Sequence, residues 1–114
     1  MDSDRPIYAQ LVERLQMQIV SGVYPAGARL PSVRELAGIA AVNPNTMQKA
    51  FTELERSGLI VTQRTNGRTV TEDQELIEQT RRDMARQHMK NFAAKMKELG
   101  YTKEQVYSLL EQDL

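Results

Sequence analysis

The chain contains no cysteine. Disulfides, thiolate metal sites and a cysteine nucleophile are therefore excluded, and a cytoplasmic location fits that usage. Its only histidine is His88, with no Asp, Glu or His at ligand spacing, so neither a metal nor another cofactor is expected. No apolar run reaches the roughly 18 residues that a membrane span needs. The opening Met1-Asp2-Ser3-Asp4-Arg5-Pro6 is acidic and lacks the apolar stretch of a secretory signal. Glycine-rich phosphate loops, nucleophile elbows and catalytic triads are absent as sequence motifs, which argues against an enzyme. Net charge is missing too: 15 basic residues balance 15 acidic ones. Their distribution is uneven, with eight basic against six acidic residues in 1–71 and seven against nine in 72–114. A length of 114 residues with 40% hydrophobic content allows one modest domain, or a small domain with an appendage.

What is present centres on residues 30–60. Ser32 followed by Glu35 forms a capping box, in which each residue can satisfy the other's backbone N–H. Val33, Leu36, Ala37 and Ala40 then recur at helical spacing. After Ala41 and Val42 comes a second start: Asn43 is a strong N-cap, and Pro44 suits the first helical position, where its missing N–H costs nothing. Met47, Ala50, Phe51 and Leu54 form the apolar face of that helix, and Gly58 closes it. Ahead of this pair, Tyr8, Leu11, Val12, Leu15, Ile19 and Val20 form the stripe of a first helix ending at Ser21-Gly22. Two short helices with a tight connection predict a helix-turn-helix whose second helix enters a DNA groove. The polar face of that second helix favours this reading over an ordinary solvated helix. Asn43, Asn45, Thr46, Gln48, Lys49 and Thr52 are mostly uncharged hydrogen-bonding groups, suited to base edges and phosphates.

A β-hairpin is expected next, with Leu59–Gln63 as one strand, Thr65-Asn66-Gly67 as the turn and Arg68–Thr71 as the return. Arg29-Leu30 would be a very short strand able to join it. A hairpin directly after the second helix is a wing.

These motifs, in order, resemble the DNA-binding domain of the GntR family of bacterial transcription regulators. The stretches LPSVRELA, VNPNT and ELERSGLI carry the resemblance over about residues 6–71. The VNPNTMQKAF wording and the short tail are most similar to its YtrA-type branch. One departure is plain: the wing of this branch often resembles RGKGTFV, whereas here Arg64-Thr65-Asn66-Gly67-Arg68-Thr69-Val70 lacks the first wing glycine and the aromatic.

Candidate DNA-binding residues follow from these roles. Ser32 caps its helix, and the free N–H groups there could also hold a phosphate. Arg34 is either a solvated partner of Glu35 or Glu13 or a contact to phosphate or guanine, and the resemblance implies the second. Asn43 is an N-cap that could also touch a base. Asn45, Thr46 and Gln48 stand at the start of the recognition helix, where bases are usually read. Lys49 is expected on a phosphate, while Glu53, Glu55 and Arg56 form a solvated face. Arg64, Gly67 and Arg68 mark the wing tip. Groove or phosphate contact and plain solubility are both open for the two arginines.

From Asp73 the pattern becomes long and helical. Ala85, Met89, Phe92, Met96 and Leu99 step alternately four and three, as in a coiled-coil seam. Gly100 ends this helix, and Thr102 with Gln105 caps another that carries Val106, Leu109 and Leu110. The whole is read as mainly α with a small β-hairpin: a winged helix-turn-helix over 1–71 and a helical dimerisation tail over 72–114. The resemblance implies a homodimer, acting as a repressor on a palindromic double-stranded operator. No membrane partner is expected, and nothing in the sequence points to a small-molecule effector. The competing reading is a winged-helix protein-docking module with a Met-rich seam that grips a partner helix.

Overall fold

The computed structural model describes residues 6–113. The acidic lead Met1–Arg5, and the expectation drawn from it, lie outside the described residues. In chain order the elements are α1 (Ile7–Val20), α2 (Val33–Ala40), α3 (Pro44–Ser57), β1 (Ile60–Gln63), β2 (Gly67–Val70), α4 (Gln74–Glu98) and α5 (Lys103–Asp113). They divide into two compact units, one ending at Arg81 and the other beginning at Arg82.

In the first unit α1 and α2 both pack on α3. The expected apolar stripes are the buried ones: Leu11, Leu15 and Ile19 from α1, Leu36 and Ala37 from α2, and Met47, Ala50, Phe51 and Leu54 from α3. Leu30, Leu59, Ile60 and Val70 complete the core, with Val12, Val33 and Ala40 at its margin. Phe51 is its largest fully enclosed side chain, at 0% exposure. Burial of a phenylalanine of this kind is worth about 1.5–3 kcal/mol. It is the contact that holds α3 by its middle.

The wing is a hairpin with Ile60 opposite Val70 and Gln63 opposite Gly67. That register leaves the three residues Arg64–Asn66 as the loop, closed by Gly67 at φ 68°, the usual place for a left-handed glycine in a hairpin of this length. Leu59 falls just ahead of β1 instead of inside it, although its carbonyl still accepts from the Thr71 N–H at 2.8 Å. The short Arg29-Leu30 segment does join the sheet. Arg29 bridges Thr69, and the Leu30 N–H donates to the Arg68 carbonyl at 2.9 Å. The first unit continues past the hairpin because Leu76 and Ile77, in the first turn of α4, pack against its core.

In the second unit the helix ends at Gly100 (φ 91°), and Thr102 and Gln105 make the expected capping box, with bonds of 2.9 and 3.2 Å. Neither α4 nor α5 contributes a buried residue. Ala85, Met89, Phe92 and Leu99 are exposed, and Met96, Leu109 and Leu110 are half-buried.

Three helices stop the same way. The N–H of the residue after the cap reaches back five residues, as in Val42 to Ala37 at 3.0 Å, Leu59 to Leu54 at 3.1 Å and Tyr101 to Met96 at 3.1 Å. This is the Schellman arrangement, which places one residue in the left-handed region. Glycine fills that place in α3 and α4, but in α2 it is Ala41, at φ 56°. A side chain there costs about 1–2 kcal/mol, partly offset by the greater freedom glycine has when unfolded. Ala41→Gly is therefore expected to stabilise the protein by about 0.5–1 kcal/mol. A higher urea midpoint at fixed protein concentration, with unchanged slope, is the expected reading; a lower midpoint would show that Ala41 is unstrained.

Candidate nucleic-acid interface

The connection between α2 and α3 is set by local caps at both ends. At the start of α2 the Glu35 N–H donates to Ser32 Oγ at 3.0 Å, and the Ser32 N–H donates to Glu35 Oε1 at 3.4 Å. The Glu35 carboxylate is thereby engaged by the backbone. Arg34 beside it is exposed and forms no ion pair among the described residues, so the surface pair with Glu35 or Glu13 is not made. At the start of α3 the Asn45 N–H donates to Asn43 Oδ1 at 2.7 Å. The Asn43 side chain is thus occupied as a cap, with its amide nitrogen left to face outward chemistry.

Because Met47, Ala50, Phe51 and Leu54 turn inward, the positions between them turn outward. Asn45, Gln48, Lys49 and Thr52 are exposed and spaced as one stripe, and Thr46 is half-buried at its edge. Gln48 and Thr52 are mutually ordered: the Thr52 hydroxyl donates to the Gln48 carbonyl at 3.0 Å, and the Gln48 amide donates to Thr52 Oγ1 at 3.5 Å. The Lys49 ammonium lies 4.0 Å from the centre of the Tyr8 ring of α1. This cation–π contact holds the charge at the junction of α1 and α3, a position that sequence reasoning did not foresee.

The carboxylates of α3 are also disposed of. Glu53 pairs with Arg56 at 2.7 Å on the exposed surface. Glu55, expected on a solvated face, is instead paired with Arg68 at 2.7 Å, with both side chains about one-third exposed. Arg68 is consequently engaged within the winged unit. It is turned onto α3, with its guanidinium 5.3 Å from the Phe51 ring centre. Arg64 is exposed in the loop and makes no ion pair among the described residues. Gly67 supplies the turn's backbone geometry and no side chain. With Glu35, Glu53 and Glu55 occupied, Arg34 and Arg64 project unneutralised charge from a unit whose basic and acidic residues nearly balance.

A shallow cleft of about 470 Å³ lies between the start of α2 and the wing, lined by Tyr24, Arg29, Pro31, Ser32, Gly67 and Arg68. Arg29 is exposed there, a cation that sequence reasoning placed only as a strand residue. Among the described residues no group of three or more His, Cys, Asp or Glu is arranged to hold a metal. No described helix is long and apolar enough to cross a membrane. His88 is exposed on α4.

Three core helices, a hairpin wing and a carboxylate-free outward stripe on the third helix define a winged-helix DNA-binding protein of the bacterial transcription regulators. The family model described as bacterial regulatory proteins, gntR family, matches residues 7–70, and the chain belongs to that family. It is 38% identical over 104 residues to the uncharacterized HTH-type transcriptional regulator YhcF of Bacillus subtilis, spanning 91% of this chain and 86% of that one. It is 45% identical over 71 residues to the HTH-type transcriptional repressor YtrA of the same organism, spanning 62% and 55% of the two chains. Among solved structures, a GntR family transcriptional regulator from Listeria monocytogenes superposes with a TM-score of 0.89 at 42% identity, covering all of both chains. These are families of DNA-binding regulators, not enzymes.

The Ser32 cap is local enough to be tested by itself. Ser32→Ala removes the acceptor for the Glu35 N–H and is expected to cost about 1 kcal/mol, measured by urea unfolding. No loss would mean that water replaces the serine oxygen at no penalty.

Proposed function

We propose that the protein is a homodimeric repressor that reads a palindromic operator, with one α3 in the major groove of each half-site. The observation that carries this is the outward stripe of α3. Its side chains are hydrogen-bonding and free of carboxylates, and the helix behind it is held rigidly by Phe51. Asn45 and Gln48 suit the N6 and N7 edge of adenine, and the methyl of Thr46 suits that of thymine. Arg34, Lys49 and Arg64, with the N–H groups at the start of α2 that Ser32 leaves uncapped, would bind phosphates and set the register. Similarity to YtrA, named as a repressor, supports repression as the outcome of promoter occupancy.

Dimerisation is assigned to the second unit. Met89 is 61% exposed, Phe92 37% and Leu99 71%. They lie with Ala85 and Met96 on a seam of alternating four and three spacing, and Leu109 and Leu110 carry the stripe of α5. A second copy would bury such a face and supply the two-fold symmetry that a palindrome requires.

The test combines light scattering with titration of a duplex that the wild-type chain selects from a random-sequence pool. A dimer binding a selected palindrome with a steep salt slope is expected. A monomer, or equal affinity for selected and random duplexes, would overturn the proposal. Arg34→Ala and Gln48→Ala are each expected to weaken the selected duplex by about 1–3 kcal/mol, read as the shift in Kd; unchanged affinity for both would remove this surface from the interface. Phe92→Glu is expected to dissociate the dimer and lower operator affinity together. The winged unit should stay folded, because Phe92 adds nothing to its core. A folded monomer that still binds the full palindrome tightly would show the tail assignment to be wrong.

A further inference from the structure

We infer that Arg68 is a positioning residue that clamps the wing to the reading helix, and that it does not act by contacting phosphate. The inference rests on the DNA-reading role proposed above and deepens it. Three observations converge on this side chain. Its Nε donates to Glu55 Oε1 of α3 at 2.7 Å, its guanidinium stacks toward the Phe51 ring at 5.3 Å, and its exposure is only 29%. Arginine is suited to this double task, because its planar group can hydrogen-bond along an edge while stacking on a ring face. The backbone of the same residue is occupied as well, since its carbonyl accepts from the Leu30 N–H at 2.9 Å. One residue therefore ties β2 to α3 through its side chain and to the Arg29-Leu30 segment through its main chain.

The neighbouring sequence explains why a clamp is needed. Of the four β2 residues only Val70 belongs to the apolar core, so little apolar area pins β2 to the helices. A partly enclosed ion pair on Phe51 adds to that anchorage a contact that fixes direction as well as distance. Glu55 has a matching consequence. It stands on the reading helix, and its carboxylate is neutralised internally instead of facing an incoming phosphate.

The alternative, a phosphate contact by Arg68, makes opposite predictions. Affinity for the selected duplex would be measured at several salt concentrations for wild type, Arg68→Gln, and the charge swap Glu55→Arg with Arg68→Glu. Arg64→Gln serves as the comparison. The clamp predicts that Arg68→Gln weakens binding roughly tenfold with an unchanged salt slope, and that the swap recovers most of the loss. Arg64→Gln should weaken binding and lower the slope by about one. A slope lowered by about one in Arg68→Gln, or a swap that binds no better than the single variant, would overturn the inference. Amide hydrogen exchange on the free protein gives a reading without DNA. Exchange at Thr69 and Val70 should be faster in Arg68→Gln and slowed again in the swap, and unchanged exchange in Arg68→Gln would overturn the clamp. If the wild-type chain selects no duplex, the operator-reading proposal fails, while the exchange comparison still decides the clamp.

Discussion

Everything on the DNA-facing side depends on how α3 is seated. Four of its side chains, Met47, Ala50, Phe51 and Leu54, are enclosed between α1, α2 and the wing. They fix the rotation of the helix about its own axis, and that rotation alone decides that Asn45, Gln48, Lys49 and Thr52 emerge together. A turn of α3 by even one position would bring Glu53 into the stripe and bury a polar group without a partner, at a cost of about 1–3 kcal/mol. The stripe is thus a by-product of core packing, and its chemistry can vary while the fold stays the same.

The caps and stops were readable because each is a local event. Ser32 with Glu35, Asn43 with Pro44, and Thr102 with Gln105 involve residues three apart or fewer, and the backbone geometry follows from those few atoms. The same holds for Gly58 and Gly67, whose places in the chain demand a positive φ. The apolar stripes were readable because burial on one side repeats with the period of the helix. The pairings across the fold were not. Glu55 and Arg68 are separated by thirteen positions, and Lys49 and Tyr8 lie on different helices. Which cation meets which carboxylate or ring depends on the angle between elements, and neither spacing nor composition carries that angle. Arg68 was accordingly grouped with Arg64 by its place in the hairpin, whereas its side chain reaches Glu55 and Phe51 of α3.

The two units solve the problem of size differently. The winged unit has a core of its own, built from large side chains at almost no exposure. The second unit has no enclosed residue among those described, and two helices alone bury little apolar surface. Two shallow clefts of the winged unit, of about 470 and 420 Å³, both lie against the wing.

The seat of Leu76 and Ile77 bears on where the chain can be cut. Gly58, at the end of α3, has a Cβ position 3.2 Å from Leu76 Cδ2, so the start of α4 fills the space that a side chain on Gly58 would need. A fragment ending with the hairpin at Thr71 would leave that space to water and uncover the part of the core against which Leu76 and Ile77 pack. The winged unit is therefore not a module separable at its last strand. Excised cleanly, it must take the first two turns of the next helix with it.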